Sequence, residues 1–336
     1  MKAYRLYGIG DLRYEEADMP YIPEGWCLVK VEAVGICSSD IPRIYKNGTY
    51  HFPTIPGHEF SGIVEKVNGN EDAGWLNKHV GVFPLIPCMH CEFCEKEQYE
   101  MCEHYDYIGS RRDGAFAEYV AVPVWNLIKL NPGMPVKYAA MLEPLSVARH
   151  ALRTAGLEQG QNVAVVGTGT IGFAAAAWAC CLGADKVTII GRNDAKRKTA
   201  EKMGSIQYCN FQKDAVESAD LVIEAVGSEQ AVELAVGSAK PGGTIVLLGN
   251  PYGNISLQRD IYWRILRKQL KIFGSWNSTF KNKKYSDWKE SVQAIDSKLI
   301  NCEALITYEF SFDHLMEGLE LMRNHVTPYC KVMIEM

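Results

Sequence analysis

The chain has 336 residues, of which 47% are hydrophobic and 22% charged, and its formal net charge is −5. This length suits about two domains, and the composition is that of a globular protein with a buried core. This proportion of hydrophobic and charged residues, with a slightly negative net charge, excludes a disordered chain and a basic nucleic-acid tail. No apolar run reaches the roughly 18 residues of a membrane span, and the N-terminus contains no signal-peptide core. We therefore expect a cytoplasmic protein without nucleic-acid or membrane partners.

The first 140 or so residues have the pattern of a compact β unit. Apolar or alternating stretches occur at Cys27–Val34, Gly62–Val67 and His79–Pro84, with glycine and proline between them. The last sixty or so residues contain an amphipathic stretch at Phe312–Asn324 and a strand pattern at Tyr329–Ile334. We expect this C-terminal part to return to the first domain.

The middle of the chain alternates between short apolar runs and helical patterns. The predicted strands are Asn162–Gly167, Lys186–Gly191, Leu221–Gly227, Thr244–Gly249 and Leu270–Gly274. The predicted helices are Thr170–Leu182, Asp194–Met203 and Glu229–Ala239. Continuously apolar strands that alternate with helices predict a doubly wound parallel sheet, because both faces of such a sheet are covered.

A glycine-rich motif follows the first strand of this region. Its residues are Gly167, Gly169, Thr170, Ile171 and Gly172, in the pattern GxGxxG. The first glycine permits a tight turn, the second lets the backbone approach a pyrophosphate, and the third lets the helix pack on the strand. Glycines also occur in ordinary turns, but the strand and the helix stand here in the order that a dinucleotide site requires.

The end of the second strand bears on the choice of cofactor. An NAD enzyme usually has an acidic residue there for the ribose hydroxyls, whereas this chain has Gly191, Arg192 and Asn193. A guanidinium pairs with a 2′-phosphate, so we predict a preference for NADP(H) over NAD(H). Two alternatives stay open, since Arg192 could be an ordinary surface residue and Asp194 could be a displaced acid.

One segment contains closely spaced cysteines at Cys88, Cys91, Cys94 and Cys102. Four thiolates fill the tetrahedral shell of Zn²⁺ and leave no open position, so this pattern predicts a structural zinc. An iron–sulfur cluster and free cysteines are the alternatives, although the proline and the second cluster typical of ferredoxins are missing. His90 and His104 could compete as ligands, but we expect them to face solvent.

A second group of donors is spread over two motifs. Cys37 lies in GICSSD, and His58 and Glu59 lie in PGHEF. One thiolate, one imidazole and one carboxylate make a three-ligand set that leaves a position for a substrate oxygen. Glu143, in LEPL, adds a further carboxylate near the predicted domain boundary.

Taken together, these motifs resemble the zinc-containing medium-chain dehydrogenases. The resemblance covers nearly the whole chain and rests on GICSSD, PGHEFSGIV, CMHCEFC with Cys102, DGAFAEYV, LEPLSV and VVGTGTIG, in that order. Within the polyol (sorbitol) branch, the segments SDIPRIYKNG, GSRRDGAFAEY and LRKQLKIFGSWNS are most similar to galactitol-1-phosphate dehydrogenases.

The resemblance implies an architecture and a ligand set. It implies a chaperonin-10-like (GroES-like) β-barrel catalytic domain of residues 1–142 and 280–336, and a Rossmann domain of residues 143–279, with the active-site cleft between them. It implies that Cys37, His58 and Glu59 hold a catalytic zinc, with Glu143 as a direct or water-mediated ligand. Two zinc ions per chain and a homodimer or homotetramer are therefore expected.

The resemblance also implies a reaction, namely hydride transfer between NAD(P) and a secondary alcohol or ketone, with zinc as the Lewis acid. Ser39 matches the position whose hydroxyl relays the proton. Pro42 replaces a histidine that many alcohol dehydrogenases have, so water or Glu143 would have to complete the path. His58 and Glu143 complete the predicted catalytic group.

A phosphorylated polyol or its ketose phosphate is the predicted substrate. Arg43, Lys46, Arg111 and Arg112 could bind a phosphate in this otherwise acidic protein, unless they are solvated or pair with acids such as Asp106 and Asp113. The alternatives are an NAD-dependent dehydrogenase of free polyols such as sorbitol, or of threonine. A non-catalytic NADPH-binding protein is a remote alternative, since such proteins usually lose the ligand set.

Overall fold

The computed structural model describes residues 1–69, 73–325 and 327–336. They form two compact units. The first unit comprises Met1–Glu143, Thr279–Asp296 and Ile306–Met336, and the second comprises Pro144–Ser278 and Ser297–Leu305. The short segment Ser297–Leu305, which the sequence analysis assigns to the first domain, thus belongs to the second unit, and Glu143 belongs to the first.

The secondary structure follows the predicted order. The strands are β1 (Lys2–Gly8), β2 (Asp11–Glu16), β3 (Trp26–Ile36), β4 (Glu59–Asn68), β5 (His79–Val82), β6 (Leu85–Ile86), β7 (Asp106–Tyr107), β8 (Tyr119–Pro123), β9 (Leu127–Lys129), β10 (Asn162–Val166), β11 (Lys186–Gly191), β12 (Ile206–Asn210), β13 (Ala219–Glu224), β14 (Ala239–Leu247), β15 (Lys271–Gly274), β16 (Ile306–Ser311) and β17 (Lys331–Glu335). The α-helices are α1 (Asp40–Pro42), α2 (Glu92–Glu95), α3 (Val136–Ala139), α4 (Leu142–Ala155), α5 (Thr170–Cys181), α6 (Arg197–Lys202), α7 (Glu229–Ser238), α8 (Arg259–Lys268), α9 (Asp287–Asp296), α10 (Cys302–Leu305) and α11 (Leu315–Asn324).

The first unit is built on a sheet with the strand order β16-β17-β3-β4-β5-β9, and β8 also pairs with β3. The long strand β3 lies in its centre and buries Val29, Val31 and Val34 in the core. The last strand, β17, runs antiparallel to β3, so that Val332 lies opposite Ile36. This pairing brings the C-terminal end of the chain beside the end of β3, where the first metal-ligand motif begins.

The second unit contains a parallel sheet with the strand order β12-β11-β10-β13-β14-β15. Each neighbouring pair in this order is parallel, which confirms the predicted Rossmann sheet. The strands are apolar because helices cover them, and Val165, Val222 and Val246 are almost fully buried. The strand order reverses between β10 and β13, and such a switch point is where dinucleotides bind.

Some elements differ from the prediction. The sequence analysis missed β12, whose outward-facing Gln207 interrupts its apolar pattern, and it also missed α4 and α8. The predicted helix at Asp194–Met203 starts instead as a 3₁₀ turn at Asp194–Lys196 before α6 begins. None of the helices in the described ranges is long and apolar enough to cross a membrane.

Candidate active site and metal centre

Cys37 is held at the end of β3 by a tight turn. Its backbone N–H donates to Oδ2 of Asp40 at 3.0 Å, and the backbone N–H of Asp40 donates to the carbonyl of Cys37 at 3.0 Å. Asp40 is fully buried, so the turn is fixed from inside the protein. Ser39 lies in the same turn, and its hydroxyl is 3.3 Å from the Cys37 sulfur.

His58 and Glu59 stand at the start of β4, beside Cys37. Gly57 precedes them with φ at +93°, and a Cβ there would lie 2.5 Å from the ring of Phe116, so only glycine fits. Glu59 pairs with Gly35 across the sheet, and a Cβ on Gly35 would lie 2.6 Å from Oε2 of Glu59. The absence of a side chain at Gly35 therefore makes room for the Glu59 carboxylate.

The three predicted donors converge on one point. One donor atom each from Cys37, His58 and Glu59 lies within 4.8 Å of the others, and His58 and Glu59 are almost completely buried. A thiolate, an imidazole and a carboxylate are the donor set of a zinc site that keeps one position open.

Asp40 connects this group to Arg43. The Oδ1 atom of Asp40 lies 3.5 Å from Nδ1 of His58 and accepts a hydrogen bond of 2.5 Å from Nη1 of Arg43. Burial alone would lower the pKa of His58, but Asp40 and Cys37 outweigh it and raise that pKa well above its usual value. Since a metal ligand must be neutral, the metal has to displace a proton from His58.

Lys331 of β17 forms an ion pair with Glu59 inside the same group. Its ammonium also donates to the carbonyl of Ile36 at 3.1 Å, and both charged side chains are 2% exposed. Burial alone would lower the pKa of Lys331, but Glu59 and Cys37 raise it. Lys331 is therefore a permanent cation of this centre.

Glu143 lies outside the three-donor group among the described residues but is buried near it. The hydroxyl of Tyr107 donates to Oε1 of Glu143 at 3.5 Å. Burial and, secondly, the charge of Glu59 raise the pKa of Glu143 to about 7. Burial and the charge of Glu143 also raise the pKa of Tyr107, which keeps its hydroxyl protonated.

The balance of negative and positive side chains around the three donors shows whether a metal cation fits there. When Asp40, Cys37, Glu59 and Glu143 are ionised, the four anions face the two cations Arg43 and Lys331. With His58 neutral, as a metal ligand must be, these groups carry two more negative than positive charges, and in the metal-free protein a proton on His58 or on Glu143 reduces this excess. A divalent cation bound to the three donors restores neutrality, so the residues fit zinc both in donor type and in charge.

The four cysteines form a second cluster in the loop around α2. Their sulfur atoms lie within 4.8 Å of one another, with 3.9 Å from Cys88 to Cys94 and 3.9 Å from Cys91 to Cys102. Sulfurs bound tetrahedrally to Zn²⁺ at 2.3 Å are about 3.8 Å apart. His90 and His104 are exposed and stand outside the four-sulfur group of the described residues.

The electrostatics of this cluster also call for a cation. Backbone N–H groups of Cys94 and Glu103 lower the pKa of Cys91 to about 6. Burial, followed by the interaction with Cys91, raises the pKa of Cys94 to about 12, and burial raises that of Cys102. All four thiols can ionise together only if a metal offsets their mutual repulsion.

The glycine-rich turn between β10 and α5 has the geometry of a pyrophosphate site. Gly167 adopts φ of +118°, and a Cβ on Gly172 would lie 2.0 Å from the Gly167 carbonyl oxygen. Around Gly169 the space is open, because a Cβ there would meet no atom within 4 Å. Thr170 and Ile171 begin α5, whose N-terminal N–H groups are left for an anion.

The end of β11 presents an unpaired arginine. Arg192 is exposed and has no acidic partner in the part of the chain that the structure describes. Asn193 caps the following turn through its contact with the Ala195 N–H at 3.0 Å. Asp194 is already bound to Lys213 at 2.5 Å and to Asn210 at 2.9 Å, so its carboxylate is not an unpartnered ribose ligand.

Comparison with known proteins agrees with this geometry. The GroES-like domain of alcohol dehydrogenases matches residues 23–132, and the zinc-binding dehydrogenase domain matches residues 170–297. Galactitol 1-phosphate 5-dehydrogenase of Escherichia coli K12 is 33% identical over 330 residues, which is 95% of each chain. The crystal structure of galactitol-1-phosphate dehydrogenase from E. coli covers 100% of both chains with a TM-score of 0.93 at 32% identity. L-threonine 3-dehydrogenase of Bacillus subtilis is 31% identical, over 92% of this chain and 91% of its own.

The chain belongs to the zinc-dependent medium-chain dehydrogenases. The recognised family and the predicted two-domain fold are therefore confirmed. This dehydrogenase is an alcohol or polyol dehydrogenase, and the alternative of a non-catalytic NADPH-binding protein is set aside. Its cofactor is a nicotinamide dinucleotide, in keeping with the open glycine turn and the parallel sheet.

The four basic residues predicted to bind substrate have different surroundings in the dehydrogenase. Arg43 is bound to Asp40, and Arg112 is bound to Asp106 at 2.7 Å. Lys46 is exposed at the end of a π-helix at Arg43–Asn47. The guanidinium of Arg111 lies between two tyrosine rings, with 4.3 Å to the Tyr50 centroid and 4.4 Å to that of Tyr105.

Three residues of this centre escaped the sequence reasoning. Asp40 lies inside the GICSSD motif, so its position three residues after Cys37 was an available signal. Lys331 stands in the apolar run CKVMIE, where a single lysine in a strand was a weak signal. Tyr107 carries no sequence signal, because tyrosine five residues after Cys102 has no characteristic spacing to the metal ligands.

Proposed function

We propose that this dehydrogenase interconverts a phosphorylated polyol and its ketose phosphate, with NADP(H) as the preferred cofactor and two zinc ions per chain. The observation that carries the proposal is the buried convergence of donor atoms from Cys37, His58 and Glu59, because a three-ligand set leaves one zinc position for a substrate oxygen. The relative from E. coli acts on galactitol 1-phosphate at carbon 5, which supports a polyol phosphate here.

The roles of the side chains follow from their contacts. When bound, zinc supplies the Lewis-acid polarisation of the substrate oxygen. Ser39 carries the proton away from the substrate, a role supported by its hydroxyl lying 3.3 Å from the Cys37 sulfur. The carboxylate of Asp40 lies 3.5 Å from Nδ1 of His58, and Lys331 holds one oxygen of Glu59. Glu143 is a buried carboxylate that accepts a hydrogen bond from Tyr107 at 3.5 Å, and a carboxylate at this position can accept a proton.

Arg111 is the best candidate for the phosphate group. Arg43 and Arg112 are already paired with acids, whereas Arg111 has no acidic partner in the described ranges and is held in place by Tyr50 and Tyr105. Its Nη1 and Nη2 already donate to the Tyr105 carbonyl at 3.3 Å and to the Tyr50 hydroxyl at 3.4 Å, so a phosphate would use the second N–H of each of these nitrogens. Lys46 adds a second, exposed positive charge.

The deciding experiment measures kcat/KM for a free polyol and its phosphate with both cofactors. Arg111→Gln should lower kcat/KM on the phosphate by about tenfold to a hundredfold, as expected for one charge-assisted contact, and leave the free polyol unchanged. Arg112→Gln is the matched control, because its guanidinium is paired with Asp106. Arg43→Ala should impair both substrates, since it removes the partner of Asp40.

Equal turnover of the polyol and its phosphate by the wild-type enzyme would reject the phosphate substrate. It would favour the second candidate, an NAD-dependent dehydrogenase of free polyols or of threonine. Threonine remains a candidate because the B. subtilis relative at 31% identity is named for it and because Arg111 could equally bind a carboxylate.

NADP(H) is favoured by the surroundings of Arg192. Its guanidinium is exposed at the end of β11, and the neighbouring carboxylate of Asp194 is neutralised by Lys213. An anionic 2′-phosphate would thus meet one unpaired cation and no unpaired acid there.

Self-association is supported by the surface formed by α8 and β15. Strand β15 is the last in its sheet order, so one backbone edge is open to another strand. Large apolar side chains are exposed along this surface, namely Tyr262, Trp263, Leu266, Ile272 and Trp276. A second copy that covers both the edge and these side chains would give a homodimer, or the dimeric half of a homotetramer.

A reducing compartment suits the cysteine chemistry. All 11 cysteines are free thiols, and the four-cysteine cluster binds metal only when it is reduced. This requirement supports the cytoplasm as the site of action.

A further inference from the structure

Tyr107 lies at the edge of the metal centre without being one of its ligands. Its ring packs edge-on against the ring of His58, with 5.8 Å between the centroids, and its hydroxyl is 3.5 Å from Oε1 of Glu143. The residue as a whole is half-buried, so part of its surface is exposed.

The backbone around Tyr107 fixes this position. Strand β7 pairs Tyr107 with Leu85, and the carbonyl of Tyr107 accepts from the N–H groups of Ser110, Arg111 and Arg112 at 3.0 to 3.3 Å. The loop then packs on the segment before His58, since a Cβ on Gly109 would lie 2.5 Å from the Gly57 carbonyl oxygen. The hydroxyl is therefore held relative to His58 by the fold and not by a flexible loop.

A phenol has one donor and two acceptor lone pairs. When Tyr107 donates to Glu143, its oxygen can still accept a hydrogen bond from another hydroxyl. A polyol carries a hydroxyl on the carbon next to the reacting one, whereas a simple secondary alcohol does not. A contact of 3.5 Å is long for two oxygens, and such contacts often tighten when the substrate is bound.

We propose that Tyr107 is a specificity-determining residue, which binds the hydroxyl next to the reacting carbon and links it to Glu143. The proposal rests on the proposed function, because it requires a polyol substrate. The two parts of the Tyr107 side chain then have different roles. The ring packs against His58, and the hydroxyl binds the substrate. Glu143 would then contribute to substrate recognition through Tyr107, in addition to lying near the metal site.

The test replaces Tyr107 by phenylalanine, which keeps the ring and removes one oxygen. Butane-2,3-diol and butan-2-ol differ by one neighbouring hydroxyl, and both are measured as competitive inhibitors of polyol phosphate oxidation. Tyr107→Phe should raise the inhibition constant of the diol by about tenfold, the value of one hydrogen bond, and change that of butan-2-ol less than about twofold. KM for the polyol phosphate should rise in parallel with the constant for the diol.

Tyr119→Phe on β8 is the matched control and should leave both constants unchanged. The zinc content and the melting temperature of Tyr107→Phe should equal those of the wild type, which excludes a damaged centre. Equal changes for the diol and butan-2-ol, or no change for either, would overturn the proposal. A wild-type enzyme that oxidises neither polyols nor their phosphates would instead reject the proposed function.

Discussion

Lys331 and Glu59 form a buried ion pair although 272 residues separate them in the sequence. The lysine reaches the metal centre because β17 lies beside β3, with Val332 opposite Ile36. The C-terminal strand is therefore part of the reaction centre as well as of the barrel. It supplies the positive charge that is paired with Glu59 inside the protein.

Removing this charge should destabilise the enzyme. Lys331→Met leaves the Glu59 carboxylate buried without its cation, and we expect a loss of about 3–5 kcal/mol in the free energy of unfolding. Lys331→Arg keeps the charge and should lose less. Urea unfolding of the metal-free proteins measures the difference. The double variant Glu59→Gln/Lys331→Met should be more stable than Lys331→Met alone, and the opposite order would contradict this interpretation.

The two metal sites should respond differently to chelation. We expect about two zinc ions per chain by elemental analysis, because the two donor groups are complete and separate. A chelator should first remove the ion held by Cys37, His58 and Glu59, since four thiolates enclose the other ion fully. Cys37→Ser should bind one ion, keep its fold and lose turnover.

The contrasting variant is Cys91→Ser, which disrupts the four-cysteine cluster. It should lower the melting temperature markedly, because structural zinc contributes directly to folding. One zinc ion per fully active wild-type chain would contradict the assignment of both sites.

Glu143 should make the stability of the metal-free enzyme depend on pH. Its pKa is raised from 4.5 to about 7 in the folded protein, so the folded state holds the proton more tightly than the unfolded state. The proton on Glu143 contributes about 3 kcal/mol to the free energy of unfolding. This contribution is fully present below pH 4.5 and is lost as the pH rises through 7. Glu143→Gln should remove this loss, as measured by urea unfolding from pH 4.5 to 8.

Bound zinc should also reduce this pH dependence, because a dication offsets the repulsion between Glu143 and Glu59. If metal-free wild type and Glu143→Gln lose stability equally between pH 5 and 8, the carboxylate is not the responsible group.

Cofactor preference should change with Arg192. Arg192→Asp removes the cation and adds an acid, so the ratio of kcat/KM for NADP to that for NAD should fall by about tenfold to a hundredfold. Lys198→Asp makes the same charge change on exposed α6 and should leave the ratio unchanged. Gly191→Asp is unsuitable, because a Cβ there would lie 2.5 Å from Cγ2 of Thr168. Equal efficiency of both cofactors in the wild type would reject the preference.

Charges on the surface of α8 and β15 should prevent self-association. The double variant Leu266→Lys/Ile272→Lys places cations on an apolar surface that a second copy would bury. Light scattering after size exclusion should give a monomer mass for this variant and a multiple of it for the wild type. Leu299→Lys, at an exposed leucine outside this surface, is the control and should keep the wild-type mass.

The sequence was sufficient for β10 and β11, because each of them is a short and largely apolar run. Lys186–Gly191 was predicted with its observed bounds, and Asn162–Gly167 was one residue too long. Strand β12 was missed because Gln207 faces outwards from the sheet edge, which breaks the apolar run. The helix α8 was missed because its exposed aromatic residues hide the periodicity of a half-buried helix.

The metal ligands could be predicted because they stand in compact motifs, whereas their electrostatic partners could not. Lys331 balances Glu59 only through the pairing of β17 with β3, and no local pattern in the sequence encodes that pairing. Likewise, the sequence left open whether Arg43 and Arg112 bind a phosphate or pair with acids, although it offered Asp106 as one such acid. Their pairing with Asp40 and Asp106 depends on how two turns fold.

The position of Lys331 also sets the order in which the two centres can be completed during protein synthesis. The four cysteines are all translated once Cys102 has been added, so their cluster can close while most of the chain is still missing. Cys37, His58 and Glu59 are translated even earlier, but the cation that neutralises Glu59 follows it by 272 residues. The nascent chain therefore carries an unfinished reaction centre until β17 leaves the ribosome and pairs with β3.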